Sequence, residues 1–336
     1  MNNRVLISVL NWNKAEQTLD CIASLKKMHA EDIDVDILVI DNGSRQEDYA
    51  ILQRDIDTTR VKLLRVEKNL GFTGGHNLSI RMAIDNDYDF IWLLNNDATV
   101  DPDTLKKLFD GIANDPSCGA VSPVIYAEDG SGHHNAWGVE HDWRNRRNCW
   151  LESKEVSMRL HETDPMKICL AGTAIMFRVK ALAGIGPLDD RLFAYFDDND
   201  VGVRLAHDGW RSKIIFDAVA THGARRLVDQ GLHYFYLMAR NEMIFWHTHM
   251  PREFRRLLWL KLLDQGMFDV NRLYRKGMRQ QADSALLGVW DFVRGRHGAP
   301  DLARQPGYAA RLVCWLFGCV QQKHLARMEP LAVSAS

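Results

Sequence analysis

The sequence predicts an α/β protein, a mostly parallel sheet with helices on both faces, followed by a C-terminal helical region. Three observations carry this. Early in the chain, short β-branched runs alternate with segments whose apolar residues recur at helical spacing, the order that a parallel sheet with crossover helices requires. Three of the runs end in Asp and Asn: Asn11-Trp12-Asn13, Asp41-Asn42-Gly43-Ser44 and Asn95-Asn96-Asp97. Sheets of this kind bind ligands beyond the carboxyl ends of their strands, so these ends mark the expected site. After Arg225 the pattern changes to long helical segments rich in Arg, Trp, Leu and Met, which divides the chain into residues 1–225 and 226–336.

Taken in order, residues 5–10 form the first strand. Asn13, with Glu16 three residues on, has the form of a capping box, and Leu19, Ile22, Leu25 and Met28 follow at helical spacing. Residues 35–40 and 61–66 are the second and third strands, joined by a polar helix. Residues 77–87 are a short helix and 90–94 a buried strand. Asp101-Pro102 offers a cap and a first-position proline to the next helix, and 119–125 is again a strand. From Tyr126 to Asp164 the pattern breaks down. Gly130, Gly132, His133, His134, Arg144, Arg146 and Arg147 predict loops or a hairpin over the sheet. Residues 168–177 return to the core as one strand, 199–207 form a short helix, and 214–216 are the last strand.

With 336 residues, 46% of them hydrophobic, the chain can bury a large core and a smaller one. A charged fraction of 26% and a net charge of -2 indicate neither disorder nor nucleic-acid binding. The charge is uneven, however. Residues 251–330 hold 14 Lys and Arg against 7 Asp and Glu, leaving 28 against 37 elsewhere. None of the six cysteines has C-x-x-C spacing, so no zinc or redox motif is indicated, and their apolar settings fit a reducing compartment. Met1-Asn2-Asn3-Arg4 runs straight into the first strand, so no signal peptide is expected. Residues 312–320 are too short a run to span a bilayer.

Five features carry chemistry, each with a plainer reading beside it. Asp41 at a strand end can accept from a pyrimidine N–H or from ribose hydroxyls, while the neighbouring Asn-Gly also makes a turn. In Asn69-Leu70-Gly71-Phe72-Thr73-Gly74-Gly75-His76-Asn77, glycines ahead of a helix let backbone N–H groups approach an anion. The spacing is neither a Walker loop nor a dinucleotide fingerprint, and a flexible connection would use the same residues. Asp97 is an oxygen ligand of the kind Mg²⁺ or Mn²⁺ prefers, although Asn95 and Asn96 add no charge. Asp197-Asp198-Asn199-Asp200 crowds three carboxylates into four positions, and their repulsion raises at least one pKa, as a general base requires. One Asp there would serve a helix N-terminus; three exceed that need. His222, at the last strand end, can ligate a metal, though most of the thirteen histidines are structural.

Together these features resemble the inverting family-2 glycosyltransferases with the GT-A fold, nearest the rhamnosyltransferase-like branch. The resemblance runs over residues 4–225, in order, through Ser8-Val9-Leu10-Asn11-Trp12-Asn13, Asp41-Asn42-Gly43-Ser44, residues 69–77, Leu94-Asn95-Asn96-Asp97, Gly172-Thr173-Ala174 and Phe196-Asp197-Asp198-Asn199-Asp200. It implies a GT-A-type sheet and a sugar transferred from a nucleotide diphosphate, dTDP-L-rhamnose first and UDP-sugars next. The acceptor would be a glycan or a lipid-linked glycan. It implies roles for residues as well. Asn11, Asn13, Asp41, Asn69, Gly71, Gly75, Asn77, Asn95 and Asn96 bind the donor. Asp97 and His222 hold Mg²⁺ or Mn²⁺, and Asp198 is the catalytic base with Asp197 beside it. The chain departs from the family pattern where an acidic residue often replaces Asn95 or Asn96, and where Glu often replaces Asp197.

The basic C-terminal region, 226–336, interleaves Arg252, Arg255, Arg256, Lys261, Arg272, Arg275 and Lys276 with leucines and Trp259, and residues 309–328 repeat the mixture. Such helices lie on an anionic membrane surface, or they pack on the catalytic domain or a second subunit in a homo-oligomer. The expected location is the cytoplasm, including the inner face of the membrane. Two other readings compete: a sugar-phosphate nucleotidyltransferase, which would need a Gly-rich basic loop where Asn11-Trp12-Asn13-Lys14 stands, and a sugar-nucleotide-binding protein without catalysis.

Overall fold

The computed structural model describes residues 3–128, 133–135, 137–151, 153–223 and 229–332, with backbone alone at 133–135 and 322–332. Gly130, Gly132, Arg225 and the side chains of His133 and His134 lie outside the described residues. The chain divides into two compact units, Met1–Arg225 and Arg226–Ser336.

In the first unit β1 (Arg4–Asn11), β2 (Asp34–Asn42), β3 (Val61–Val66) and β4 (Phe90–Asn95) run parallel in the order β3-β2-β1-β4. Helices α1 (Ala15–Leu25), α2 (Gln46–Asp55) and α3 (Gly71–Asp85) connect them. The sheet continues through β11 (Ala174–Arg178), β6 (Cys118–Ala127), β12 (Arg211–His222) and β5 (Ala98–Val100), with β7 (His133–Asn135) paired to β6. β11 is antiparallel to both its neighbours, and β5 is antiparallel to β12. A smaller antiparallel sheet has the order β10-β8-β9, from Ile168–Cys169, Val139–Asp142 and Arg147–Trp150. The remaining helices are α4 (Thr104–Ala113), α5 (Lys154–Thr163), α6 (Val179–Ile185) and α7 (Asp197–His207).

The apolar sequence of β1 explains its central place. Alternate residues of a strand face opposite sides, and here both sides are buried. Val5, Ile7 and Val9 join Trp92 and Leu94 under Cys21, Ile22 and Leu25 of α1 and Leu105 and Leu108 of α4. On the other face Leu6 joins Ile40, Ile91 and Leu93 under Ile80 and Ala83 of α3, Leu182 of α6 and Val201 and Leu205 of α7.

Four local expectations are corrected. The run 168–177 is two strands: β10 belongs to the small sheet, and the chain passes through 170–173 before β11 joins the large one. Asn13 does not cap α1. It takes the left-handed conformation (φ 56°), its Oδ1 accepts from Arg45 N–H, and the oxygen at the helix start is Asp48 Oδ1, which accepts from Ala15 N–H at 2.9 Å. Asp101-Pro102 forms a turn ahead of α4, which begins at Thr104. The glycine run is not a loop before a helix, because α3 starts at Gly71.

The second unit consists of α8 (Leu232–His249), α9 (Leu258–Arg275), α10 (Arg279–Val293) and α11 (Tyr308–Ala332). α8 and α10 cross closely at Gly288, where a Cβ would lie 2.3 Å from the Tyr236 carbonyl oxygen. Buried Asp291 accepts from Tyr236 Oη at 2.7 Å and from both terminal nitrogens of Arg304. A buried charge needs such partners. Asn271 of α9 donates to Cys314 O of α11 at 3.1 Å. Among the described residues no helix is long and apolar enough to cross a membrane.

Candidate active site

The sheet register sets the site. Asn11 lies opposite Asp41, and Leu10 opposite Asn95, so the three polar strand ends are level. Asn11 and Asp41 are wholly buried. Asn11 Nδ2 donates to Asp41 Oδ1 (2.9 Å), Asp48 Oδ2 (2.9 Å) and Ser44 Oγ (3.1 Å), and its Oδ1 accepts from Thr18 Oγ1 at 2.9 Å. These bonds make Asn11 a brace for Asp41 and Ser44. Asp41 Oδ2 has no hydrogen bond among the described residues and lies 3.5 Å from Arg65 Nε. It is the buried oxygen of this cluster left without a hydrogen-bond partner among the described residues, and buried acceptors rarely stay unmatched. Arg65, stacked over Tyr49 at 4.1 Å, covers it.

The start of α3 is built for close packing. Asn42 Oδ1 accepts from Leu70 N–H (3.0 Å), and its Nδ2 donates to Asn69 Oδ1 (3.1 Å) and Gly71 O (3.0 Å). Asn69 Oδ1 also accepts from Gly71 N–H at 2.8 Å. Gly71 has φ +77°, and a Cβ there would lie 2.3 Å from Phe193 O; a Cβ on Gly75 would lie 2.5 Å from Leu10 Cδ1. Thr73 N–H donates to Phe193 O at 3.2 Å. Two N–H groups of the helix start are thus engaged within the protein, and Gly71 and Gly75 let backbone pass close to Phe193 and Leu10. Asn77 is an internal tie as well: it exchanges hydrogen bonds with Leu188 and donates to Asp190 Oδ1 at 2.7 Å. His76 beside it is held neutral, its pKa lowered to about 3 by burial, with Nδ1 3.0 Å from Ser8 Oγ.

The next strand end holds the metal candidates. β5 pairs with β12 so that Ala98 faces His222, and His222 Nε2 lies 3.0 Å from Asp97 Oδ1. Both side chains are about one-fifth exposed. A carboxylate oxygen and an imidazole nitrogen this close can turn onto one divalent cation, so the donor set fits Mg²⁺ or Mn²⁺. Among the described residues no group of three or more His, Cys, Asp or Glu gathers around a cation site. Asn96 Nδ2 donates to Thr18 Oγ1 at 2.9 Å, and Asn95 is partly exposed beside it.

The carboxylate run opens α7. It follows three non-glycine residues in the left-handed region, Phe193 (φ 66°), Tyr195 (φ 67°) and Phe196 (φ 66°). Each costs about 1–2 kcal/mol, and strain of this kind persists where the fold imposes it, commonly at functional sites. Asp197 is buried, and burial, then the Asp198 charge, push its pKa up to about 8. Burial raises Asp198 as well, against the hydrogen bonds that favour its anion. Its Oδ1 accepts from Asn199 N–H (2.8 Å) and Asn199 Nδ2 (2.7 Å), and its Oδ2 from Gly172 N–H (3.1 Å). A Cβ on Gly172 would sit 3.0 Å from that oxygen, so glycine makes the approach possible. Asp200 is an ion-pair residue, 2.7 Å from Arg204 Nε. Of the carboxylates, Asp198 is the one both partly exposed and unpaired by a cation within hydrogen-bonding reach in this segment.

Asp198 and Asp97 are joined by two short links. Gly172 binds Asp198, and the adjacent Thr173 carbonyl accepts from Asn95 N–H at 2.9 Å, two residues before Asp97. Residues absent from the sequence-derived set complete the cluster: Thr18, Asn42, Asp48, Arg65, Asn148 and Asn199. Asn42 and Asn199 lie inside the polar motifs of the sequence; Thr18 and Asp48 follow such motifs on α1 and α2, and Arg65 and Asn148 come from β3 and β9 with no local signal.

Comparison with known proteins adds three findings. The family description Glycosyl transferase family 2 matches residues 6–186. N-acetylglucosaminyl-diphospho-decaprenol L-rhamnosyltransferase of Mycobacterium tuberculosis is 29% identical over 207 residues, which are 56% of this chain and 66% of that protein. The chain therefore matches about two thirds of the curated relative's length. Among solved structures, Staphylococcus aureus TarS 1–349 superposes with a TM-score of 0.56 at 15% identity, covering 87% of this chain and 81% of that one. The mannosyltransferase PcManGT from Pyrobaculum calidifontis, solved with GDP-Man and Mn²⁺, gives 0.54 at 15% identity over 90% and 78%. At such identities the likeness is one of fold.

Proposed function

The chain belongs to glycosyl transferase family 2, and from that premise we propose an inverting transfer of a hexose, L-rhamnose first and a UDP-sugar's hexose second, from a nucleotide diphosphate to a hydroxyl of a glycan or lipid-linked glycan. The observation that carries this reading is the double link from Gly172 to Asp198 and from Thr173 to Asn95, which ties a partly open carboxylate to the strand end bearing Asp97. The mycobacterial relative, named for rhamnosyl transfer to a decaprenol-linked sugar, supports the donor and acceptor classes.

Asp198 takes the proton of the acceptor hydroxyl as that oxygen attacks the anomeric carbon. The nucleotide diphosphate leaves from the opposite face, and one displacement inverts the centre. Burial strengthens Asp198 as a base, while the Asn199 and Gly172 N–H groups hold its plane. Asp41 Oδ2 receives an N–H of the base once Arg65 yields, and Asn95 and Asn96 face the ribose or diphosphate. Asp97 and His222 would hold Mg²⁺ or Mn²⁺, which supplies neutralisation of charge growing on the leaving diphosphate.

The test is incubation with dTDP-L-rhamnose or UDP-sugars, Mn²⁺ and a synthetic N-acetylglucosaminyl-diphospho-polyprenol, with the product's anomeric configuration read by NMR. Inverted product is expected. Retained configuration contradicts the single displacement, and binding without turnover would favour a sugar-nucleotide-binding role.

For the second unit we infer contact with an anionic membrane surface. Leu257, Trp259 (42% exposed) and Leu260 stand among exposed Arg255, Arg256 and Lys261, and α11 presents Tyr308, Leu312, Trp315 (61% exposed), Leu316 and Val320. Exposed aromatic and basic residues in one segment suit a lipid interface. Flotation with anionic vesicles is expected and is lost at high salt; a dimer in solution with no flotation overturns it.

A further inference from the structure

A chain of four side chains runs from the small sheet to the candidate base. His141 on β8 and Asn148 on β9 are cross-strand partners. His141 Nδ1 lies 2.9 Å from Asn148 Oδ1, Asn148 Nδ2 lies 3.0 Å from Asn199 Oδ1, and Asn199 Nδ2 lies 2.7 Å from Asp198 Oδ1. His141 is wholly buried, with its ring 5.4 Å from that of Trp143, and Asn199 is buried too.

The order of donors follows from the carboxylate end. A carboxylate only accepts, so the Asn199 amide must turn its N–H to Asp198 and its oxygen away. That oxygen only accepts, so Asn148 must present its N–H to it. The Asn148 oxygen then faces His141, whose Nδ1 must carry a proton. Every donor in the chain points toward Asp198, and a reversal at any link would set two acceptors against each other.

We propose that Asn148, locked by His141, is a positioning residue for Asp198: it fixes the Asn199 amide so that its N–H always faces the carboxylate. Asn199 would otherwise rotate about its terminal bond, and its own backbone N–H would be the sole fixed donor on Oδ1. The inference rests on the reading of Asp198 as the base. It places part of the base's orientation in the β8–β9 hairpin. Among the described residues, Asp197 on α7 and Cys169 on β10 interact electrostatically with Asp198, and Asp200 with Asp197; the substitutions below leave all of them in place.

The experiment titrates the Asp198 carboxyl carbon by ¹³C NMR, assigned with D198N, in the wild type, N148A, H141L and H141N. It is paired with turnover of dTDP-L-rhamnose across pH. N148A and H141L lose the lock, so the Asp198 pKa and the acid limb of kcat rise by about one unit, and kcat at pH below that limb falls about tenfold, with donor KM unchanged. H141N keeps a donor where Nδ1 stood and stays near wild type. An unmoved Asp198 resonance in folded N148A and H141L overturns the inference and leaves Asn148 as a hairpin anchor. Turnover surviving in D198N overturns the base reading instead, whatever the resonance does.

Discussion

Replacing Gly71 by alanine probes the seam between the start of α3 and the strained segment ahead of the catalytic carboxylates. Gly71 has φ +77°, and its added Cβ would meet Phe193 O at 2.3 Å and the Phe193 ring at 2.6 Å. The left-handed conformation costs a residue with a Cβ about 1–2 kcal/mol, offset by about 0.4–1 kcal/mol from the stiffer unfolded chain. A backbone carbonyl cannot swing aside as a side chain can. Phe193 must retreat to ordinary contact, weakening its bond from Thr73 N–H by about 1 kcal/mol and overpacking the seam by about 1–3 kcal/mol. The sum is a loss of about 2–5.5 kcal/mol. Gly186 is the control: its φ is +84°, but nothing lies within 4 Å of its added Cβ. G186A should therefore cost about 0–1.5 kcal/mol. Urea unfolding of both variants, followed by tryptophan fluorescence, measures the difference. Equal stabilities for G71A and G186A would refute the close approach of Gly71 to Phe193, and with it the packing that sets the angle of the Asp197-Asp198 segment.

Three further outcomes follow from the same geometry. Chelation by EDTA should remove transfer, and Mn²⁺ should restore it at lower concentration than Mg²⁺, since an imidazole ligand favours the later metal; full activity in EDTA argues against a metal on Asp97 and His222. Asn42→Ala deletes three hydrogen bonds to residues 69–71 and should cost about 2–3 kcal/mol while raising donor KM, and an unchanged melting curve would show the ties to be idle. Asp197 binds its proton more tightly folded than unfolded, with a folded pKa raised to about 8 against an unfolded value of about 3.9. Its contribution is therefore favourable at low pH and is lost as pH rises through that window. Melting temperature should fall across it in the wild type and fall less in D197N, and a steeper fall in D197N contradicts the raised value.

Much of the site's frame is legible in the sequence because strand ends obey a simple rule. Apolar runs closing on Asn11, Asp41 and Asn95 specify parallel strands, and the register brings those ends level. The carboxylate run is legible for a similar reason, since three Asp residues at one helix start exceed any capping need. What the sequence conceals is which polar atoms are already engaged. Asn11, Asn69 and Asn77 have the composition of ligand contacts, yet their amides serve the protein's own backbone and side chains. The glycines at 71 and 75 read as room for an anion, and the sequence gives no sign that a Cβ at either would also meet Phe193 or Leu10. Asn148 on β9 reaches Asn199 on α7 across 51 residues, a distance at which no local pattern signals a contact. The left-handed Phe193, Tyr195 and Phe196 are imposed by tertiary packing against aromatic preference, so they too leave no trace in composition.

As the proposed base, Asp198 removes the acceptor's proton. Asp198→Asn keeps the side chain's size, so the most direct measurement compares that variant with the wild type in two assays. One is transfer from dTDP-L-rhamnose or a UDP-sugar to the polyprenol-linked acceptor, and the other is calorimetric binding of the same donor. Transfer is expected to fall by at least about a hundredfold while donor affinity stays within about threefold of the wild type. Transfer near the wild-type rate in a folded, donor-binding variant would contradict it.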